Sequence, residues 1–146
     1  MTSASPGAPP GALRLYRALA LALCAAFAAV GLLFLFFPGA PWRFFNGLSE
    51  ILGMPRAPEE GRGLFHLLGV AYMYLVTLLA FLMYARPLKG AYPWLLVHAK
   101  GASALLSVYL FIADGPFLIY CANALVDGSI AVGVGLIALS MKRVPA

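Results

Sequence analysis

Four long apolar runs dominate the pattern of hydrophobic and polar positions along this chain. They occupy residues 18–37, 63–84, 92–113 and 116–140. A bilayer core requires about 20 mainly apolar residues per helix, and a backbone inside lipid must form its hydrogen bonds within its own segment. The pattern therefore predicts an all-α protein in which residues 12–141 form a bundle of four transmembrane helices.

A shorter segment between the first two runs, residues 41–53, has the spacing of an amphipathic helix. Its apolar face contains Phe44, Phe45, Leu48, Ile51 and Leu52. Its opposite face contains Arg43, Asn46, Gly47 and Glu50. We expect this helix to lie in the outer interface of the bilayer, with Trp42 as an anchor. It either closes the bundle or forms a gate over a site.

The residues outside these helices predict the ends of the fold. Residues 1–11 are rich in proline, glycine, serine and alanine and predict a disordered tail, while residues 142–146 form a basic C-terminal tail. The first apolar run is longer than the roughly 7–15 apolar residues of a signal peptide, so we expect an uncleaved helix. Pro58, followed by Glu59 and Glu60, predicts that the second long helix begins near Pro58.

The composition supports a membrane protein. Hydrophobic residues make up 63% of the 146 residues and charged residues only 10%, and the mean hydropathy is +0.92. A soluble domain carries about 25% charged residues, so this chain has too few to cover a surface in water. Soluble enzymes and nucleic-acid-binding proteins are thereby excluded. The net charge of +5 is attributed to topology signals and to anionic lipid headgroups.

The distribution of lysine and arginine predicts the orientation in the membrane. Four spans place both termini and the second loop on one side, which carries Arg14, Arg17, Arg86, Lys89, Lys142 and Arg143. The other side carries Arg43, Arg56 and Arg62. Since cytoplasmic segments are enriched in basic residues, we expect both termini inside the cell, in a bacterial inner membrane.

Two ionisable residues lie deep within the predicted spans, Lys100 and Asp127. Charges in the membrane interior are costly, so both are candidates for function. At 1.5 Å per residue, Lys100 lies about 12 Å and Asp127 about 20 Å from the inner ends of their helices. A lysine side chain can extend over most of that difference, so we predict an ion pair between the two helices. The pair either fixes the helix register or takes part in the function.

Further polar residues align with this pair at helical spacing. The candidate cluster consists of Arg62 and His66 on the second span, Lys100, Ser103 and Ser107 on the third, and Tyr120, Asn123 and Asp127 on the fourth, and Asp114 lies at similar spacing at the outer end of the third. If these side chains converge, they line a cavity between the helices, which is the usual place for a small-molecule site in a bundle. The alternative is a set of isolated polar side chains that each find a partner locally.

No cofactor is indicated. His66 and His98 differ in height by roughly 20 Å, which is too far for both to bind one haem or one metal ion. Cys24 and Cys121 are similarly separated, and an intrachain disulfide is not expected. The common motifs of serine hydrolases, zinc proteases and nucleotide-binding enzymes do not occur in the sequence. A protein without enzymatic activity is therefore the preferred interpretation.

The arrangement resembles the DoxX-like family of small four-helix membrane proteins. The residues that carry the resemblance are Phe37-Pro38-Gly39, Arg62, Gly69-Val70-Ala71-Tyr72 and Leu125-Val126-Asp127-Gly128. Most members of that family are uncharacterised, and some are linked to quinone-coupled sulfur oxidation or redox stress. The resemblance implies an accessory or small-molecule-binding role in an inner membrane, and it supplies no catalytic residue.

Three functional hypotheses follow. The first is a bundle without enzymatic activity that binds a small apolar or amphipathic molecule or serves as an accessory subunit. The second is a transporter or proton pathway that uses Asp127 and Lys100. The third is a quinone-linked redox subunit that depends on a partner protein. Small residues at four-residue spacing, such as Ser103 and Ser107, also leave a homo-oligomer or a larger membrane complex open.

Overall fold

The computed structural model describes residues 10–58 and 62–142. These residues form five α-helices and contain no β-strand. The helices are α1 (Pro10–Phe36), α2 (Ala40–Ile51), α3 (Arg62–Ala85), α4 (Ala91–Ala113) and α5 (Leu118–Lys142). Four of them, α1, α3, α4 and α5, are long and apolar enough to cross a membrane. The predicted all-α architecture with four long apolar helices and one short helix is therefore confirmed.

Two of the predicted boundaries are wrong. Helix α1 already begins at Pro10, inside the segment predicted to be a disordered tail; proline is compatible with the first turn of a helix because its missing N–H is not needed there. Helix α5 includes Lys142, the residue at which the basic C-terminal tail was predicted to begin. The described part of α3 begins at Arg62, and Pro58 is not helical. The rest of the two predicted tails, residues 1–9 and 143–146, and Glu59 and Glu60 lie outside the described residues.

The backbone just before Pro58 is bound by a side chain of α2. The side chain of Asn46 donates a hydrogen bond to the Ala57 carbonyl, at 3.1 Å, and accepts one from the Ala57 N–H, at 2.9 Å. This pair of bonds holds the loop after α2 against that helix.

The long helices pack mainly as two pairs, α1 with α3 and α4 with α5, and the pairs meet chiefly through α3 and α4. Because successive long helices alternate in direction, one end of the bundle contains the start of α1 and the end of α5. We call this the termini end. The opposite end, where α1 stops and α3 and α5 begin, also carries α2, and we call it the α2 end.

The buried core lies towards the termini end. It contains Phe27 and Met73, and the part nearest that end consists of Tyr16, Ala20, Val76, Ala80, Met83, Leu96 and Val134. By contrast, large apolar side chains such as Leu105 and Ile112 are mostly exposed on the outside of the bundle. An apolar exterior of this extent would be unstable in water and is typical of a surface that contacts lipid.

Helix α2 buries two polar residues. Asn46 and Ser49 are buried, whereas Phe44 and Ile51 are 65% and 81% exposed. Three residues of the predicted polar face are exposed, Arg43, Gly47 and Glu50. The prediction is wrong for the fourth, Asn46, which contacts the protein and not water. The reason is the loop after α2, whose backbone groups need hydrogen-bond partners; Gly53, with a positive φ of 66°, lets the chain turn into that loop.

Candidate functional site

The predicted ion pair is present at the centre of the bundle. The Lys100 Nζ of α4 lies 2.9 Å from the Asp127 Oδ1 of α5, and the two side chains are only 4% and 5% exposed. A charged lysine and a charged aspartate in such a position stabilise each other, because either one alone would be a buried, unmatched charge. This contact ties together the two helices that pack most extensively.

Two aromatic rings complete the surroundings of the lysine. The Lys100 Nζ lies 4.6 Å from the centroid of the Phe27 ring on α1 and 5.1 Å from that of the Tyr72 ring on α3. Both distances are within the range of a cation–π interaction, which is strongest where water is excluded. The ammonium group is thus the point at which all four long helices meet, with a carboxylate on one helix and an aromatic ring on each of two others.

Tyr72 links α3 to α4 through its hydroxyl group as well. The phenol donates a hydrogen bond to the Ala99 carbonyl, at 3.1 Å, one residue before the lysine. It also interacts with the side chain of Ser103. These contacts of the hydroxyl group hold the Tyr72 ring beside the Lys100 ammonium group.

The next polar contact lies one helical turn closer to the α2 end. The Asn123 Nδ2 donates to the Ser107 Oγ at 2.8 Å and to the Ser103 Oγ at 3.1 Å. An asparagine amide carries two N–H groups, so it can serve both hydroxyls at once. Ser107 is buried, but Asn123 is exposed. The amide therefore lies at the border between the helix interface and the surroundings.

The outermost contact lies at the α2 end itself. The Tyr120 hydroxyl donates to the Asp114 Oδ2 at 2.9 Å, and the Tyr120 ring packs edge-on against Phe117 at 5.8 Å between centroids. Asp114 directly follows α4 and is exposed. Polar contacts between α4 and α5 thus extend from this end of the bundle to its centre.

We refer to these residues as the polar seam. It consists of Lys100, Ser103, Ser107 and Asp114 from α4 and the residue that follows it, and of Tyr120, Asn123 and Asp127 from α5. All its members lie on the polar lines of the third and fourth spans that were predicted from the sequence. The hydroxyl and amide groups of α4 and α5 converge as the helical spacing predicts.

Below the ion pair, towards the termini end, the interior is apolar. We call the core residues there, defined above and extending from Tyr16 to Val134, the apolar plug. Its helices pack closely: Val76, Ala80, Met83 and Leu96 have no exposed surface. The Tyr16 hydroxyl is buried within it without a hydrogen-bond partner among the described residues. The polar seam therefore reaches the surroundings from the α2 end, and the plug closes the interior at the other.

Two predicted members of the cluster do not join it. His66 is half-buried on α3, and within the described part of the chain no hydrogen bond or ion pair connects it to the polar seam. Arg62 begins α3, but its side chain lies outside the described residues. The contribution of α3 comes instead from Tyr72, six residues deeper in the helix than His66.

The contacts of Phe27 and Tyr72 with Lys100 were not predicted from the sequence. Both are neutral aromatic residues in apolar runs, where they look like any other lipid-facing or core residue. The predicted burial of Lys100 could have indicated such neighbours, because an ammonium group inside a bundle requires more partners than one carboxylate. That requirement predicts aromatic or polar neighbours on α1 and α3 without identifying them.

Nothing in the described residues forms a metal centre. Within residues 10–58 and 62–142, no three His, Cys, Asp or Glu side chains come together as a metal ion would require. Cys24 and Cys121 are free thiols.

Comparison of the chain with protein family models, curated proteins and solved structures finds no match.

Proposed function

We propose that this protein is a multi-pass membrane protein without enzymatic activity that binds a small amphipathic molecule at the α2-end half of the polar seam. The observation that carries the proposal is the one-sided arrangement of the interior. Polar side chains line the interface of α4 and α5 from Asp114 to the Lys100–Asp127 pair, where the apolar plug begins. A molecule could enter a site of this form from the α2 end but could not cross the bundle through it.

The chemistry of the seam defines the polar group of the ligand. The Asn123 Nδ2 is used by two serine hydroxyls, while its Oδ1 has no hydrogen-bond partner among the described residues. Asp114 accepts one hydrogen bond and is otherwise exposed. Since both groups are acceptors, they favour a ligand with hydroxyl or amine donors. Its apolar part would lie along exposed apolar side chains that are close to Asn123 on α5, such as Val126.

The deeper ion pair supports the site without contacting the ligand. Lys100 and Asp127 are almost fully buried and satisfy each other, so they hold α4 and α5 in the register that aligns Asn123 with Ser103 and Ser107. A transporter or proton pathway would require polar access to this pair from both ends of the bundle. The apolar plug at the termini end therefore favours binding over transport.

We further propose how the bundle sits in its membrane. Helix α2 lies in the outer interface with Phe44 and Ile51 in the acyl region, and both termini are cytoplasmic, in a bacterial inner membrane. The exposure of these apolar side chains and the basic residues Arg86 and Lys89 in the α3–α4 loop support this orientation. The protein would act as an independent binder or as an accessory subunit of a larger complex, as the resemblance to DoxX-like proteins implies.

The test is native mass spectrometry of the protein released from lipid nanodiscs. We expect a small molecule to remain bound to the wild-type chain and to be lost from Asn123→Ala. Ser129→Ala is the matched control, because Ser129 is also a polar residue on α5 but bonds only to the Leu125 carbonyl of its own helix. Loss from both variants, or retention by both, contradicts a site at the seam. If a protein partner is recovered in stoichiometric amount and no small molecule is found, the protein is an accessory subunit and does not bind a small molecule at the seam.

A further inference from the structure

A groove lies on the outside of the α4–α5 pair. It has a volume of about 480 Å³ and is lined by His98, Gly101, Ala102 and Leu105 of α4 and by Ala131 and Val132 of α5. In a helix, residues at this spacing share one face, and that face is opposite the one that carries Lys100, Ser103 and Ser107. The groove is therefore separate from the polar seam and faces the surroundings of the bundle.

His98 is the polar residue of this groove. It is exposed and lies about 10 Å along α4 from Ala91, at 1.5 Å per residue, within the span. No hydrogen bond or ion pair joins its imidazole to another of the described residues. A polar side chain that faces hydrocarbon without a partner is destabilising, and it gains when a bound molecule supplies one.

Gly101 keeps the floor of the groove open. A Cβ atom at Gly101 would meet nothing within 4 Å, whereas at Gly128 and Gly135 it would contact Ala104 and Val97 of the neighbouring helix, each at 3.8 Å. Gly128 and Gly135 thus face the neighbouring helix, whereas Gly101 faces open space. A glycine within a helix is less stable than alanine there, so this position preserves empty space beside His98 at a cost in helix stability.

We propose that this groove binds a membrane-dissolved amphipathic molecule with a hydroxyl or carbonyl group. The polar group forms a hydrogen bond with the imidazole of His98, and an apolar ring or chain lies over Gly101 between Leu105 and Val132. The volume is within the usual range of small-molecule sites, which are mainly apolar with a few polar groups that orient the ligand. The site does not depend on the function proposed for the polar seam, since the two lie on opposite faces of α4.

Photolabelling in phosphatidylcholine nanodiscs tests the site. The probe is a long-chain alcohol that carries a diazirine near its hydroxyl group, and a hydrocarbon with the same diazirine but no hydroxyl is its control. We expect the alcohol to label residues 97–105 and 131–132 in preference to other exposed apolar positions. In His98→Phe, labelling by the alcohol should fall about 2- to 10-fold, the usual effect of one hydrogen bond, while labelling by the hydrocarbon stays unchanged.

Filling the groove provides an independent test. Gly101→Leu should abolish labelling of the groove, and Gly133→Leu should leave it intact, because Gly133 also has open space around it but does not line the groove. Asn123→Ala should not affect labelling of the groove, which separates this site from the polar seam.

Equal labelling of the groove and of exposed residues such as Leu125 would overturn the proposal, as would unchanged labelling in His98→Phe. Crosslinks between two chains in place of probe attachment would identify the groove as a contact between copies and would also overturn it.

Discussion

The Lys100 ammonium group and the Asp127 carboxylate lie 2.9 Å apart, with side chains that are almost completely buried. Either charge alone would be buried without a countercharge. The pair joins α4 to α5, and through the rings of Phe27 and Tyr72 the same ammonium group contacts α1 and α3. One ammonium group therefore contacts a side chain on each of the other three long helices.

The first prediction concerns the coupling of this pair. Lys100→Met and Asp127→Asn should each destabilise the protein by about 3–5 kcal/mol, because each leaves its partner buried without a countercharge. The double variant should recover a large part of that loss. Thermal unfolding in a mild detergent, analysed as a double-mutant cycle, measures the coupling. If the two single losses simply add, the pair does not act as a unit.

The second prediction concerns the aromatic rings. Phe27→Leu should lower the stability by about 0.5–2 kcal/mol beyond the effect of its smaller volume, since it removes a desolvated cation–π interaction. Phe81→Leu is the control, because Phe81 lies on the exposed surface of α3. In a Lys100→Met background, the additional loss caused by Phe27→Leu should disappear. If it persists, the Phe27 ring acts only by packing.

The third prediction concerns the loop between α2 and α3. Asn46→Ala removes both hydrogen bonds to Ala57, and we expect the Ala57 N–H to exchange with deuterium at least several-fold faster, since a lost hydrogen bond changes a local equilibrium by about 2- to 10-fold. Gly47→Ala, one residue away on the exposed side of α2, should leave the exchange unchanged. Equal exchange in Asn46→Ala and the wild type would show that the loop is held by other contacts.

The fourth prediction concerns the orientation of the bundle. In a background without Cys24 and Cys121, a cysteine at Lys89 should react with a membrane-impermeant reagent only from the cytoplasmic side. A cysteine at Arg56, in the loop after α2, should react only from the opposite side. Both positions are exposed. Labelling of both from the same side would exclude an arrangement in which α3 crosses the membrane.

Much of the fold could be predicted from the sequence, because lipid constrains the pattern strongly. A long uncharged run can form little else than a spanning helix. Lys100 and Asp127 are isolated charges on adjacent helices, so each has few possible partners other than the other. The same argument predicts the alignment of Asn123 with Ser103 and Ser107, because residues spaced by one turn lie on one face.

Other features depend on tertiary contacts that a periodic pattern does not contain. Asn46 has the spacing of a solvent-facing residue. It is buried because the loop backbone folds against it and forms two hydrogen bonds with its side chain at Ala57. Tyr72 was indistinguishable from Tyr74 in the sequence, yet Tyr72 faces Lys100 and Tyr74 is exposed. Similarly, His66 falls on the predicted polar line of α3, but α3 packs mainly against α1, away from the polar seam.

Single cysteines, introduced in the background without Cys24 and Cys121, test directly whether the interior is accessible from one end only. A cysteine at Asn123, in the polar seam, should react with a small membrane-impermeant thiol reagent added from the α2 end and remain unreactive from the termini end. A cysteine at Leu96, in the apolar plug, should react from neither end, because this position has no exposed surface. Reaction of the cysteine at Leu96 from the termini end would show a polar passage through the plug and would contradict a site open at one end only.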